Sequence, residues 1–319
     1  MNSLLRCAFA LLVGAASPAL AQSYPKGPIN LVVPYAPGDA TDLAARTMAE
    51  DLSKVLKVPV VVLNRPGAGG ALGTENVAKA AKDGYTILFT TNSTLILRCI
   101  IDPATAHYDP LRDFLPLGLT TRAPNVIALR SDLPYKNVAG MVEFGKKNPN
   151  QVRIGTAGAG SSGDLNVATV NTLTGAGLTM VPYKGASPAV TDVLGGHIEG
   201  VTLALGVVSS HMKSGALKAI AISSRVPEYP DVPTLADQGY SQNLFGMWLG
   251  FFAPAGVPAE VANVLVPAIE RVVKDPGTAA RLLPRGLVQE YASPESLFYE
   301  MREEYRTVEE LARKSGIVK

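Results

Sequence analysis

Short runs of β-branched and apolar residues, each broken by glycine or proline and followed by an amphipathic stretch, set the tightest limit on this chain. Ile29–Val33 precedes a pattern over residues 41–55 in which Ala45, Met48, Leu52 and Val55 fall on one helical face. Residues 58–63 lead into a helical pattern over 71–81, and 85–90 form a third run. The alternation restarts with strands at 125–129, 152–156, 178–181, 200–205 and 219–223 and helices at 138–147 and 164–174. Strand-helix-strand alternation makes the class α/β, and such continuous apolar runs suit parallel strands covered on both faces. Residues 225–242 are proline-rich and polar and read as a long ordered loop. Residues 244–254 are extended and aromatic, and amphipathic helices follow over 258–274 and 294–314.

The first 21 residues read as a secretory signal peptide. Arg6 is their only charge, an apolar core runs from Ala8 to Ala16, and Ala19-Leu20-Ala21 supplies the small residues of a cleavage site before Gln22. Cleavage would leave Cys99 as the sole cysteine, so stability is expected from burial rather than from an internal disulfide. The 29 Lys+Arg against 27 Asp+Glu give a formal charge of +2, which offers no footprint for nucleic acid or an anionic membrane. His107, His197 and His211 show no metal-ligand spacing, and no metal or other cofactor is expected.

Chemistry concentrates at the strand-to-helix junctions. Three are glycine-bearing, at residues 37–42, 65–70 and 157–163, and a fourth, Thr90-Thr91-Asn92-Ser93-Thr94, is rich in hydroxyls. Ligands of open α/β sheets bind beyond the carboxyl ends of the strands, where helix N-termini present free N–H groups to an anion. The acids at two junctions also read as caps, in Asp39-x-x-Asp42 and Ser161-x-x-Asp164. Residues 158–163 match G-x-G-x-x-G, but no acidic residue stands about 20 positions on to hold a ribose. No phosphate-loop motif, no G-x-S-x-G elbow and no histidine paired by motif with a serine is present, so the chain is not expected to be an enzyme.

Several motifs then fall in order and spacing. They are residues 29–38 with Thr41-Asp42, Asn64-Arg65-Pro66-Gly67-Ala68-Gly69-Gly70, Lys82-Asp83-Gly84-Tyr85-Thr86 and Tyr108-Asp109-Pro110-Leu111-Arg112-Asp113-Phe114. Gly158 to Ser162, Val181-Pro182-Tyr183-Lys184-Gly185-Ala186, Asp231-Val232-Pro233-Thr234 and Phe252-Ala253-Pro254-Ala255-Gly256 continue the series. In these stretches the chain resembles the periplasmic substrate-binding receptors of tripartite tricarboxylate transporters, the Bug receptors.

The resemblance implies a two-domain, type II-like periplasmic binding fold, with mixed sheets, flanking helices and an interdomain cleft that closes on a small carboxylic acid. Residues 22–122 plus 248–319 would form one domain and 123–247 the other, with hinges near 121–125 and 244–250. Trp248 lies in the second crossing, where its fluorescence would report closure. Carried over by position, the ligand would meet Tyr35, Gly38, Asp39, Ala40, Thr41 and Asp42, with Gly38 and Ala40 as main-chain donors. Thr91, Asn92 and Ser93 would follow from the third strand, and Gly160, Ser161, Ser162 and Tyr183 from the second domain. Lys184 carries less weight, since a lysine beside a turn usually lies in solvent.

Two positions depart from the family pattern. Asp39 stands where a second glycine is usual, and would repel an anion unless turned to cap its helix. Leu203 and Leu205 replace a polar wall by an apolar one, or are plain strand core. The first reading predicts a ligand with one anchored carboxylate and an apolar or aromatic body. The expected partners are a small organic acid and membrane permease subunits, with no nucleic acid and a monomeric receptor. A ligand-sensing receptor, a secreted hydrolase using Ser161 or Ser162, and a dinucleotide-binding oxidoreductase are the competing readings.

Overall fold

The computed structural model describes residues 24–158 and 161–315. The signal-peptide reading of residues 1–21 and the candidate residue Gly160 therefore lie outside the described residues.

The chain opens with β1 (Ile29–Val33), α1 (Ala40–Leu56), β2 (Val60–Asn64), α2 (Ala71–Ala78) and β3 (Thr86–Thr91). A π-turn over Ser93–Leu97 then runs into α3 (Arg98–Ile101) and β4 (Phe114–Ala123). There follow β5 (Asn125–Arg130), α4 (Val138–Lys147), β6 (Arg153–Thr156), α5 (Ser162–Thr174), β7 (Thr179–Pro182), α6 (Ala186–Leu194), β8 (Gly200–Ala204), α7 (Leu205–Lys213) and β9 (Leu217–Ile222). The chain returns through β10 (Met247–Pro254), α8 (Ala259–Val273), α9 (Pro276–Leu282), β11 (Val288–Ala292) and α10 (Pro294–Ser315).

The strands form two mixed sheets, ordered β11-β4-β10-β3-β1-β2 and β7-β6-β8-β5-β9. β1 is parallel to β2 and β3, whereas β10 runs antiparallel between β3 and β4. The parallel sheet expected from the apolar runs is thus confined to β1–β3 in the first lobe and to β6–β8 in the second, where β5 and β9 run antiparallel.

Strand periodicity explains the covering layers. On β1, Ile29, Leu31 and Val33 join Met48 and Leu52 of α1 and Leu265 and Ile269 of α8, while Val32 faces the opposite cluster. On β10, Phe251 goes to the first cluster and Phe252 to the second. That second cluster contains Leu165 and Ala168 of α5 beside Val308, Leu311 and Ala312 of α10, so the C-terminal helix ties one lobe to the other. Among the described residues no helix is long and apolar enough to cross a membrane.

Candidate functional site

The two lobes meet edge to edge. In the first sheet the end of β3 lies beside the start of β10 (Thr91 opposite Leu249), and the end of β4 beside the same start (Ala123 opposite Met247). In the second, Asn125 at the start of β5 lies opposite Ala204 at the end of β8, and Thr156 opposite Pro182. A single residue, Pro124, separates β4 from β5, and Phe245–Gly246 leads into β10. The junctions after β1, β2 and β3 therefore leave the edge that faces the junctions after β6, β7 and β8.

The first junction is self-bonded. Asp39, at the N-cap of α1, accepts from Thr41 N–H at 2.8 Å, and Asp39 N–H donates to Ala36 O. Gly38 has φ +86°, a backbone that suits glycine, and its N–H donates to Asp42 Oδ2 at 2.8 Å. Asp42 is 1 % exposed and also accepts from Arg46 Nε at 3.0 Å and Asn64 Nδ2 at 2.8 Å. Burial disfavours its charge, but the hydrogen bonds from Arg46, Gly38 and Asn64 outweigh this and hold its carboxyl below the usual range. Two expectations need correction. Gly38 N–H is occupied by Asp42 instead of being offered to a ligand, and Asp42 is an internal brace with its oxygens committed. Among the described residues, Ala40 N–H in the first turn of α1 has no acceptor, and residues 36–40 are exposed.

Tyr35 OH bonds Thr91 Oγ1 at 2.6 Å and Thr94 Oγ1 at 2.5 Å, and Thr94 Oγ1 donates to Gly69 O at 3.0 Å. Burial raises the Tyr35 phenol above its ordinary range, against the pull of these hydroxyls. The chain thus draws the junctions after β1, β2 and β3 together. Ser93 is partly exposed at the start of the π-turn.

In the second lobe Ser161 caps α5, accepting from Asp164 N–H at 3.3 Å, while Asp164 Oδ1 accepts from Thr156 Oγ1 at 2.5 Å. The absence of a side chain at Gly163 lets α5 approach β8, since a Cβ there would lie 2.7 Å from Thr202 O. Ser162 Oγ accepts from Asn125 Nδ2 at 2.7 Å.

Three further candidates have their side chains engaged or buried. Asn92 is 1 % exposed and uses its whole amide: Nδ2 donates to Gly246 O at 2.9 Å and Glu304 Oε1 at 2.6 Å, and Oδ1 accepts from Trp248 N–H at 3.2 Å. Tyr183 OH donates to Asp192 Oδ2 of α6 at 2.6 Å, and burial followed by that carboxylate pushes the phenol up to about 12. Leu203 is 3 % exposed among Val126, Val201 and Val208, because alternation along β8 turns it into the core and Thr202 toward Asn166. The apolar wall is therefore strand core at Leu203, and Leu205, the first residue of α7, is buried in the same cluster. Lys184 is exposed.

Sequence reasoning passed over Asn125, Asn166 and Glu304. Asn166 grips Phe245 from the second lobe: Phe245 N–H donates to its Oδ1 at 2.6 Å, and its Nδ2 donates to Phe245 O at 3.0 Å. Asn125 Nδ2 also reaches Phe245 O, at 3.1 Å. Their signal was only a polar residue within an apolar pattern. A cavity of about 610 Å3 lies against this crossing, lined among others by Arg122, Ser223, Gly246, Trp248, Glu300 and Glu304. The residues of the glycine-bearing junctions do not line it.

The comparisons with known proteins agree with this architecture. Protein BugT of Bordetella pertussis is 33 % identical over 289 residues, covering 90 % of this chain and 89 % of the relative. The crystal structure of a TctC solute binding protein from Polaromonas superposes with a TM-score of 0.85 at 30 % identity, covering 91 % of this chain and 99 % of that one. The structure of R. palustris Rpa4515 with adipate matches with a TM-score of 0.72 at 27 % identity, covering 92 % and 98 %. The model of the tripartite tricarboxylate transporter family receptor matches residues 44–316, and the chain belongs to that family.

Proposed function

We propose that this chain captures a small aliphatic dicarboxylate in the periplasm and delivers it to the membrane permease subunits of a tripartite transporter. It acts as a monomer after cleavage of residues 1–21, and performs no chemical step. The ligand lies between a first domain of residues 22–122 plus 248–319 and a second of 123–247. One carboxylate meets main-chain donors in the first turn of α1, with Ala40 N–H as the open donor, and Thr41 and Ser93 supply hydroxyls from the first lobe. The start of α5, with Ser161 and Ser162, closes over it from the second, and Gly160 is carried as a ligand contact from the sequence alone.

The observation that carries this reading is the facing pair of helix N-termini within a family of transporter receptors. Adipate in the R. palustris relative supports a dicarboxylate. The aromatic ligand body expected from Leu203 has lost its support, since that residue lies in the core. Binding without catalysis is further favoured because both serines are engaged, Ser161 by Asp164 N–H and Ser162 by Asn125 Nδ2.

Thermal unfolding against citrate, C4 to C6 dicarboxylates, benzoates and amides tests it. A binder at 100 times its dissociation constant stabilises the protein by ~2.7 kcal/mol, and a C4 to C6 dicarboxylate is expected to give the largest shift. Stabilisation by a benzoate or an amide above every dicarboxylate refutes the assignment.

A further inference from the structure

The second crossing is gripped from both sides at adjacent residues. Asn166 and Asn125 of the second lobe hold Phe245, and Asn92 of the first lobe holds Gly246. A pivot at this crossing would therefore be narrowed to the Phe245–Gly246 link. Both grips continue into the facing junctions, since Asn92 follows β3 directly and Asn125 bonds Ser162 at the start of α5.

The first-lobe grip has its own anchor. Glu304 of α10 accepts from Asn92 Nδ2 through Oε1 at 2.6 Å and from Trp248 Nε1 through Oε2 at 2.7 Å. Asn92 cannot turn its amide over, because its Nδ2 serves two acceptors and its Oδ1 serves the Trp248 N–H. Two donors thus converge on the two oxygens of one carboxylate. Only the ionised group accepts both fully. A protonated carboxyl keeps one carbonyl oxygen and turns the other into a hydroxyl that needs an acceptor of its own.

We propose that Glu304 is a proton-controlled positioning residue of the hinge, holding the Phe245–Gly246 pivot tight when ionised and slack when protonated. This regulation belongs to the receptor reading above, but its test needs no ligand. The charged groups around it are Glu300 and Glu303 on α10 and Arg122 on β4, with Glu290 of β11 reached through Arg122. Asn92, Trp248 and the 242–246 segment bring only neutral groups. Glu304 forms part of the wall of the 610 Å3 cavity, which gives its proton a path to solvent. Burial, reinforced by the Glu300 charge, pushes its carboxyl up to about 7 against the pull of Asn92, Trp248 and Arg122.

Trp248 is the single tryptophan, so its emission reads this site alone. In the ligand-free protein its emission is expected to titrate with a midpoint near pH 7, and Glu304→Gln, which resembles the neutral acid, to abolish the transition. The protection of the Trp248 backbone N–H against exchange, corrected for intrinsic rate, should fall roughly tenfold or more between pH 8 and pH 6. In Glu304→Gln it should be low at both. A wild-type emission flat from pH 5.5 to 8.5, or the same transition in Glu304→Gln, overturns the proposal. If Glu304→Gln fails to fold, Glu300→Gln decides, because losing a like charge and freeing Arg122 must lower the midpoint; an unmoved or higher midpoint overturns it.

Discussion

Replacing Asn166 by alanine removes the grip of the second lobe on Phe245, and its cost can be worked from the bonds. Asn166 is fully buried, and its Oδ1 is the acceptor for Phe245 N–H at 2.6 Å. Phe245 O keeps the bond from Asn125 Nδ2 at 3.1 Å, so the damage falls on the N–H side. An unpaired, mostly buried donor costs roughly 1–3 kcal/mol, and the truncated side chain leaves a small void worth about 1 more. The expected loss is about 2–4 kcal/mol.

Urea unfolding should show this as a lower midpoint with an unchanged slope. Amide exchange should place the weakening at Phe245 itself. Asn92→Ala loosens the adjacent residue from the other lobe, so the pair should depart from additivity by at least ~0.5 kcal/mol, as residues sharing one hydrogen-bonded segment do. A single-site loss below about 0.5 kcal/mol, or full additivity of the pair, would refute the reasoning that these amides hold a common pivot.

Two further outcomes follow from the ionisable groups. Because the folded carboxyl of Glu304 titrates near 7 instead of the usual 4.5, its contribution to global stability is complete below about pH 4.5 and is lost as pH rises through 7; urea unfolding should find the wild type up to ~2 kcal/mol more stable at pH 5.5 than at pH 8 relative to Glu304→Gln, and an equal pH dependence of the two proteins contradicts it. This global effect is measured against the solvated, unfolded chain; the local slackening of the hinge runs the other way because the protonated side chain stays buried and loses only the second donor. Asp42→Ala removes a carboxylate that braces Gly38, Arg46 and Asn64; as Gly38 is exposed and Arg46 half-exposed, both regain water, so calorimetry should show a loss of only about 1–2 kcal/mol.

Elements with one clear period were legible. β1 and α4 lie at the residues where the pattern placed them, because apolar alternation and an Asn137 cap are local signals. β4 was not, since Pro116 and Gly118 in its ten residues read as breakers. Its pairing with β10 tolerates them through two register shifts, one between Pro116 and Gly118 and one between Leu119 and Thr121. α7 was not legible beyond Leu205, which the strand pattern takes in, because Leu203, Leu205, Val207 and Val208 are apolar on either period until a neighbour decides. Within the site, the caps of Asp39 and Ser161 were readable because cap and helix adjoin. The roles of Asn92 and Glu304 were not, because these residues meet across 212 positions, and Glu304 sits among the charged residues of an amphipathic helix, where a carboxylate reads as solvent-facing.

A common cause explains why asparagines occupy this crossing. Phe245 and Gly246 lie before β10 begins, where no neighbouring strand supplies ladder partners, yet their peptide groups are shielded by both lobes. Such groups must be paired. An asparagine amide carries one acceptor and two donors in a plane, as a pair of strand peptides would, so Asn166 completes Phe245 as a strand would and Asn92 does the same for Gly246 and Trp248. The substitution of side chain for strand suits the pivot proposed above, since two amides would move with their own lobes while a sheet ladder would hold both lobes as one. It also leaves few polar side chains of the facing junctions free to bind. Asn92 and Ser162 are tied to the crossing, and Asp42 and Asp39 to α1. On the receptor reading proposed above, an anion entering there would be met chiefly by main-chain N–H groups, and its grip would be set by how closely the two helix ends approach.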